Sequence, residues 1–170
     1  EDHYDKGGPQ DYAEARRLYG LAAARGLAHA QFKMGCMHLL GVGGPVDLEE
    51  ARRLFGLAAA QGLMLAQMHL ARLLYDGEGG LKDMVESRQM LALAAAHEGG
   101  PAPQFDLLDL ARARCGLADM LSKGEGGPKD MAEARRLFSL AAAHGLMLAQ
   151  VKLARLLYDG EGGLKDMVES

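Results

Sequence analysis

The stretch LARLLYDGEGGLKDMVES, from Leu70 to Ser87, decides the fold because it returns letter for letter from Leu153 to Ser170. A catalytic centre needs to be encoded once, whereas a structural unit that stacks on copies of itself is encoded repeatedly. The duplication therefore predicts a repeat architecture. A packed helix pair tolerates many substitutions. Identity over all eighteen letters thus indicates recent duplication of the segment, and not a pair of active sites.

The repeat has a period of 36 residues, and one aspartate marks each copy. These aspartates are Asp11, Asp47, Asp83, Asp130 and Asp166. Three of the four intervals are 36 residues, and the interval from Asp83 to Asp130 is 47, which indicates an insertion of 11 residues. A glutamate follows each aspartate after three residues, as in Asp47 and Glu50. This spacing predicts a capping box, in which the aspartate accepts from first-turn amides and the glutamate reaches back.

Each copy contains two amphipathic helices. The helix after the aspartate places Ala51, Leu54, Phe55, Ala58 and Ala59 on one face, and a glycine such as Gly62 ends it. The helix before the glycine-rich turn places Ala66, Leu70, Ala71 and Leu74 on one face. On the exposed side, pairs such as Glu49–Arg53 add modest stability. Such a helix pair cannot bury its apolar face alone, so the pattern predicts an all-α solenoid of stacked helix-turn-helix units.

The pattern resembles Sel1-like repeats, which are relatives of the tetratricopeptide repeats. The matching residues in one copy are Ala66, Leu70, Ala71, Gly77, Gly79, Asp83, Ala94 and Ala95, and those in another are Ala149, Leu153, Ala154, Gly160, Gly162 and Asp166. Leu18, Leu54, Met90 and Leu137 stand where the family usually has tryptophan, and Ser87 stands where it has alanine. The resemblance implies a single right-handed array over residues 1–170, with helical units at about 11–26, 28–61, 64–97, 105–144 and 147–170. Because neither end carries a polar capping helix, we expect a fragment of a longer array or a subunit of an assembly.

Composition excludes several classes of protein. The chain is 49% hydrophobic and 25% charged, and its net charge of −4 gives no general attraction to nucleic acid or anionic membrane. The stretch from Leu54 to Ala71 has no formally charged residue, but Gln61 and Gly62 interrupt it, so we expect no membrane span. Cys36 and Cys115 are too few for a disulfide framework, which fits a soluble protein and is compatible with a reducing compartment.

Catalytic and ligand-binding motifs are weak, and the sequence predicts no catalytic residue, no metal site and no cofactor. The histidines lack the HxxxH spacing, and the G-E-G-G turns lack the Lys-Ser/Thr of a phosphate loop. His97 and His144 lie at expected helix C-termini, where the helix dipole favours them. Pairs such as Arg16-Arg17 could form a basic ladder, but acidic residues precede each pair, which favours a self-neutralised solvated face.

A tetratricopeptide-like stack would place the first helix of each pair on a concave surface. Side chains off its packed face would then form a partner-binding groove. These residues are Phe32, Lys33, Met68, His69, Arg72, Tyr75, Arg112, Asp119, Lys152, Arg155 and Tyr158. Arginine and tyrosine are common interface anchors, so Arg72 with Tyr75 and Arg155 with Tyr158 are the leading candidates. An equally supported interpretation is that the two tyrosines only close their helix ends against neighbouring repeats.

The insertion, residues 98–109, has no counterpart in the other copies. Pro101 and Pro103 give it a stiff entry, and Phe105, Leu107 and Leu108 could extend the following helix by about one or two turns. The simpler interpretation is a loop that packs on its own solenoid. The alternative is a docking element, because Phe105 and Leu108 are apolar in a segment that no other repeat contains.

The sequence therefore predicts a non-enzymatic scaffold or adaptor that binds a protein partner through the concave groove and the insertion, within a larger assembly. One alternative is a structural subunit embedded in a multiprotein complex, which can be membrane-associated. Another is the accessory repeat region of an enzyme whose catalytic domain lies outside this sequence. The partner, the compartment and the pathway are not encoded in these patterns.

Overall fold

The structure, a computed structural model, describes residues 11–97 and 107–161. Within these ranges the chain forms eight α-helices and no strand. They are α1 (Tyr12–Ala24), α2 (Ala28–Leu40), α3 (Leu48–Ala60), α4 (Met64–Asp76), α5 (Met84–Ala95), α6 (Leu107–Lys123), α7 (Met131–Ala143) and α8 (Met147–Asp159). Each helix packs on the helices before and after it in the chain. The predicted all-α solenoid is confirmed.

Aspartate caps begin the odd-numbered helices, but only half of the predicted capping box forms. The side chains of Asp47 and Asp83 accept from the amides of Glu50 and Glu86 at 3.0 and 2.9 Å. The glutamate does not reach back to Asp47, since the Asp47 amide already donates to the His38 carbonyl of the preceding helix at 2.9 Å. Glu50 instead binds Arg53 through two hydrogen bonds of 2.6 Å, so the expected Glu49–Arg53 pair was wrong.

The core follows the predicted apolar faces. In α3 the five predicted residues are all buried, and Phe55 and Ala58 are fully enclosed. In α4 the predicted set Ala66, Leu70, Ala71 and Leu74 is buried as well. Enclosing a leucine or phenylalanine side chain contributes roughly 1.5–3 kcal/mol relative to exposure. Hydrophobic burial between successive helices therefore holds the stack together.

The helices α2 and α3 approach each other closely at Gly35. A Cβ atom on Gly35 would lie 2.7 Å from the Phe55 ring, closer than real contacts allow. The corresponding residues in α4 and α6 are Ala71 and Ala118, which are both buried. Glycine at position 35 thus makes room for the phenylalanine of α3.

One arginine in each of α1, α3 and α5 donates a hydrogen bond to the glycine-rich turn that follows the next helix. Arg16 donates to the Val42 carbonyl at 3.3 Å, Arg52 to Leu81 at 2.8 Å and Arg88 to Pro128 at 2.9 Å. We call these three contacts the turn clasps. The turn glycines permit them, because a Cβ on Gly80 would lie 2.8 Å from the Arg52 guanidinium.

The second arginine of each pair is neutralised within its own helix. Arg17, Arg53 and Arg136 bind the glutamate three residues earlier at 2.7, 2.6 and 2.7 Å. The Arg16-Arg17 and Arg52-Arg53 pairs therefore combine a turn clasp with a local ion pair and do not form a basic ladder.

The uncharged stretch from Leu54 to Ala71 is divided between α3 and α4 by the turn at Gln61 and Gly62. Among the helices that the structure describes, none has the length and apolar character needed to cross a membrane.

Candidate functional site

The even-numbered helices α4, α6 and α8 line three neighbouring cavities that share residues. Between α4 and α6 lies a cavity of about 330 Å³, formed by Leu65, Met68, His69, Arg72, Asp109 and Arg112. Between α6 and α8 lies a cavity of about 360 Å³, formed by Arg112, Cys115, Gly116, Asp119, Leu146, Leu148 and Lys152. Arg112 belongs to both, and a third cavity of about 240 Å³ continues past Lys152 to Arg155. We refer to these three linked cavities as the groove.

Most of the predicted partner-binding residues lie in the groove, and four do not line it. The groove contains Met68, His69, Arg72, Arg112, Asp119, Lys152 and Arg155. Lys33 is exposed on α2, outside the three cavities. Phe32 is only 8% exposed and belongs to the core, so it supports the surface without presenting a contact.

A cluster of three rings supports the α4 part of the groove. The Phe55 and His69 ring centroids are 5.0 Å apart, and Phe32 meets His69 edge-on at 5.5 Å. Burial, followed by the charge of Arg72, lowers the pKa of His69, which favours the neutral imidazole. In the part of the chain that the structure describes, His69 Nδ1 is buried and has no hydrogen-bond partner.

The charged residues of the groove are mostly paired. Arg72 binds Glu78 at 3.0 Å, and Arg112 binds Asp109 at 2.8 Å. Asp119 binds two cations, Lys123 at 2.6 Å and Lys152 of α8. Burial acts to raise the pKa of Asp119, but the hydrogen bonds from Lys123 and Lys152 outweigh it, so this pKa is lowered. Asp119 therefore remains a carboxylate and fixes both lysines on the groove wall.

The two tyrosines differ in environment. The Tyr75 hydroxyl donates to the Glu125 carboxylate of the next turn at 3.1 and 3.2 Å, and Lys82 lies 5.0 Å from its ring centroid. The hydrogen bond to Glu125 raises the pKa of Tyr75. These contacts match the interpretation in which Tyr75 closes its helix end against the neighbouring repeat. Tyr158 is 91% exposed.

The insertion reaches the described part of the chain only at the beginning of α6. Phe105, together with Pro101 and Pro103, lies outside the described residues. Leu107 begins α6 and is exposed, whereas Leu108 is half-buried. With 17 residues, α6 is about one turn longer than the other helices, which have 12 or 13.

Several groove residues escaped the sequence prediction, among them Leu65, Leu148 and Gly116. Leu65 and Leu148 were missed because the alternation of polar residues on the even helices does not reveal which apolar side chains stay accessible. Gly116 was missed although a signal exists, since the other repeats carry Lys33, His69 and Lys152 at this position.

Within the described residues, no group of three or more histidine, cysteine, aspartate or glutamate side chains could hold a metal ion. Cys36 and Cys115 are free, and burial raises the pKa of both thiols. Because the thiolate is the reactive form, neither cysteine has the environment of an activated nucleophile.

Comparison with solved structures identifies two similar repeat proteins. A Sel1 repeat protein from Oxalobacter formigenes aligns with a TM-score of 0.81 and 28% identity, over 92% of this chain and 60% of that one. A protective antigen with an SLR fold, present in uropathogenic Escherichia coli strains, aligns with a TM-score of 0.54 and 30% identity, over 91% of this chain and 38% of that one. This chain thus spans less than two thirds of either protein. No curated protein sequence matches it.

The family comparison assigns every repeat. The sequence profile described as Sel1 repeat matches residues 2–27, 28–63, 65–98, 111–146 and 148–170. These matches cover nearly the whole sequence, and each described helix lies mostly or wholly within one of them. The chain belongs to the Sel1 repeat family.

Proposed function

We propose that this chain is a non-enzymatic scaffold that holds an extended segment of a partner protein in the groove. Sel1 repeat proteins generally mediate protein–protein interaction, and their fold is typically a non-catalytic scaffold. The observation that supports the proposal is that three neighbouring cavities, whose walls come from three successive repeats, share the lining residues Arg112, Asp119 and Lys152.

The dimensions of the groove suit a peptide segment. Helices in direct contact lie about 8–10 Å apart, and α5 and α7 come between α4, α6 and α8 in the packing order, so α4 and α8 are at least about 20 Å apart. An extended chain covers about 3.3 Å per residue, and at least about six residues would cross the groove. Apolar side chains such as Met68 and Leu148 would contact the partner's side chains, while Arg112 and Lys152 would fix its orientation. Leu107, exposed at the beginning of α6, would extend the contact towards the insertion.

A matched pair of arginines allows a direct test. Arg112 is 54% exposed in the groove and pairs with Asp109 three residues earlier. Arg136 is 60% exposed on α7, outside the groove, and pairs with Glu133 three residues earlier. The partner is first captured with the wild-type protein from its native source and identified by mass spectrometry. Its affinity is then measured for Arg112→Glu and Arg136→Glu.

We expect Arg112→Glu to weaken binding at least about tenfold, as truncation of a central arginine anchor does, and Arg136→Glu to leave the affinity within about twofold. Equal affinity of the two variants would remove the groove from the interaction. If the partner is then lost on deletion of residues 98–106, the insertion is the docking element.

A further inference from the structure

The helix α6 lacks a side chain at a position where the other even helices carry one. At the position of Gly116 those helices have Lys33, His69 and Lys152. His69 stacks on Phe55 of the preceding helix, and Lys152 lies over the ring of Phe138, 6.0 Å from its centroid. In α4 and α8 the side chain at this position thus covers the ring of the preceding odd helix. Glycine provides no such cover in α6.

The helix α5, against which Gly116 lies, also differs from its counterparts. Leu91 of α5 stands where α3 and α7 have Phe55 and Phe138. A Cβ atom on Gly116 would lie 3.4 Å from both terminal methyl groups of Leu91, which is ordinary contact. Both the ring and its cover are therefore replaced by smaller groups.

Gly116 lines a notch between α6 and α8, which is the 360 Å³ cavity of the groove. Its floor is apolar and consists of Cys115, Gly116, Leu146 and Leu148. An apolar cavity of about 150 Å³ is large enough to bind benzene. The notch therefore has room for one aliphatic side chain together with part of the backbone that carries it.

The rim of the notch carries two cations, Arg112 and Lys152, and one carboxylate, Asp119. That carboxylate already binds both Lys152 and Lys123. Arg112 uses a single terminal nitrogen for Asp109, and its side chain is more than half exposed. The rim is thus complementary to a negative group and has no carboxylate left for a cation.

We propose that the notch receives an aliphatic side chain of the bound protein segment, and that an acidic side chain close to it in the same segment pairs with Arg112. The inference rests on the proposed function, and it defines which segment the groove selects.

The test uses a phage-displayed library of random nonapeptides, selected against the immobilised protein. We expect the enriched peptides to share an aliphatic residue with Asp or Glu within two positions. One such peptide is then synthesised together with an analogue in which Asn or Gln replaces the acidic residue. Dissociation constants are measured for the wild-type protein and its variants.

Four variants separate the steps of the argument. Gly116→His introduces the residue found at this position in α4, and it should weaken binding of the acidic peptide at least tenfold. Leu148→Ser changes an apolar residue of the notch that is 56% exposed, and it should weaken binding of the acidic peptide severalfold without endangering the fold. Arg112→Gln should weaken binding of the acidic peptide but should not weaken binding of its amide analogue. Gly56→Ala is the control, since a Cβ there meets nothing within 4 Å, and it should bind as the wild type does.

Enriched peptides without the aliphatic–acidic pair, or equal affinity for wild type and Gly116→His, would overturn the proposal. Peptides that are sensitive to Arg112→Glu but not to Gly116→His would overturn the notch and leave the proposed groove function standing. Peptides indifferent to both changes would count against both proposals.

Discussion

Two residues of α2 depart from the repeat pattern, and each departure has a specific structural partner. Gly35 replaces an alanine found in the later even helices, and it accommodates the Phe55 ring. His38 replaces the leucine found at Leu74 and Leu121, and its Nδ1 lies 2.9 Å from Arg16 Nη2. A guanidinium can only donate, so this hydrogen bond requires a neutral histidine.

Gly35→Ala should destabilise the protein, although alanine normally stabilises a helix relative to glycine. The added methyl group would overlap the Phe55 ring, and overpacking of a core typically costs about 1–3 kcal/mol. Gly56→Ala is the control, because the Cβ atom that it adds would meet open space. This variant should be more stable than the wild type by about 0.5–1 kcal/mol. Urea unfolding of both variants measures the difference. A Gly35→Ala protein as stable as the wild type would show that the ring moves aside freely.

His38 should make the stability of the protein decrease in mild acid. Burial, followed by the charge of Arg16, lowers the pKa of His38, with Glu50 and Asp47 acting to raise it and Arg53 to lower it. The folded state therefore binds fewer protons than the unfolded state. The contribution is complete above the ordinary histidine pKa of about 6.5 and is lost as the pH falls through that value towards the lower folded-state pKa.

His38→Leu provides the comparison, since leucine is the residue at this position in other repeats. Urea unfolding of both proteins between pH 8 and pH 5 should give a smaller decrease in the free energy of unfolding for the leucine variant. His69, whose pKa is also lowered, is common to both proteins, so the difference isolates His38. Equal slopes would rule out a role for His38 in the pH response.

At the scale of helices, sequence periodicity predicted which faces are buried, but it did not predict which hydrogen-bond partner a polar side chain binds. Ala51, Leu54 and Phe55 had to face a neighbour, because their spacing leaves them on one side of α3. Glu50, by contrast, could bind either the Asp47 amide or Arg53, and the His38 carbonyl of another helix decides the outcome by occupying that amide. Such a choice depends on a residue brought close only by the fold.

The turn clasps should stabilise the turns more than the neighbouring ion pairs do. Arg52→Gln removes the hydrogen bond to the Leu81 carbonyl and should cost about 1 kcal/mol, the usual net contribution of such a bond. It should also accelerate amide hydrogen exchange in residues 77–82. Arg53→Gln removes only an exposed pair with Glu50, which is typically worth about 0.2–1 kcal/mol, and should leave that turn unchanged. Equal turn exchange in the two variants would contradict a structural role for the clasp.

At the scale of the whole molecule, protection should decrease from the middle of the stack towards α1 and α8. The helices α4 and α6 contribute seven and eight buried residues, whereas α8 contributes two and α1 none. In a linear stack each unit is stabilised mainly by its neighbours, so helices with few buried residues open at lower free energy. Hydrogen-exchange mass spectrometry should find α1 and α8 exchanging first. Uniform protection across the eight helices would indicate a single cooperative unit.

The candidate site was only partly predictable from the sequence, because it is built from side chains of several helices. Helical periodicity placed Arg72, Arg112 and Lys152 on one surface, and the structure brings them together along the groove. Periodicity could not show that Phe32 is enclosed by Phe55 and His69, because these rings come from three helices. Periodicity likewise could not show that Gly116 of α6 lies against Leu91 of α5.

The turn clasps also define where the chain can change its length. Arg52 and Leu81 are 29 residues apart, whereas Arg88 and Pro128 are 40 residues apart, and the difference equals the 11-residue insertion. The contact is nevertheless the same, at 2.8 and 2.9 Å. The connection between α5 and α6 can therefore gain residues without shifting the stack, since loop length adds only slowly to the cost of closure. Residues 98–106 are thus a natural graft point, where a foreign epitope or a whole domain could be carried on an unaltered scaffold.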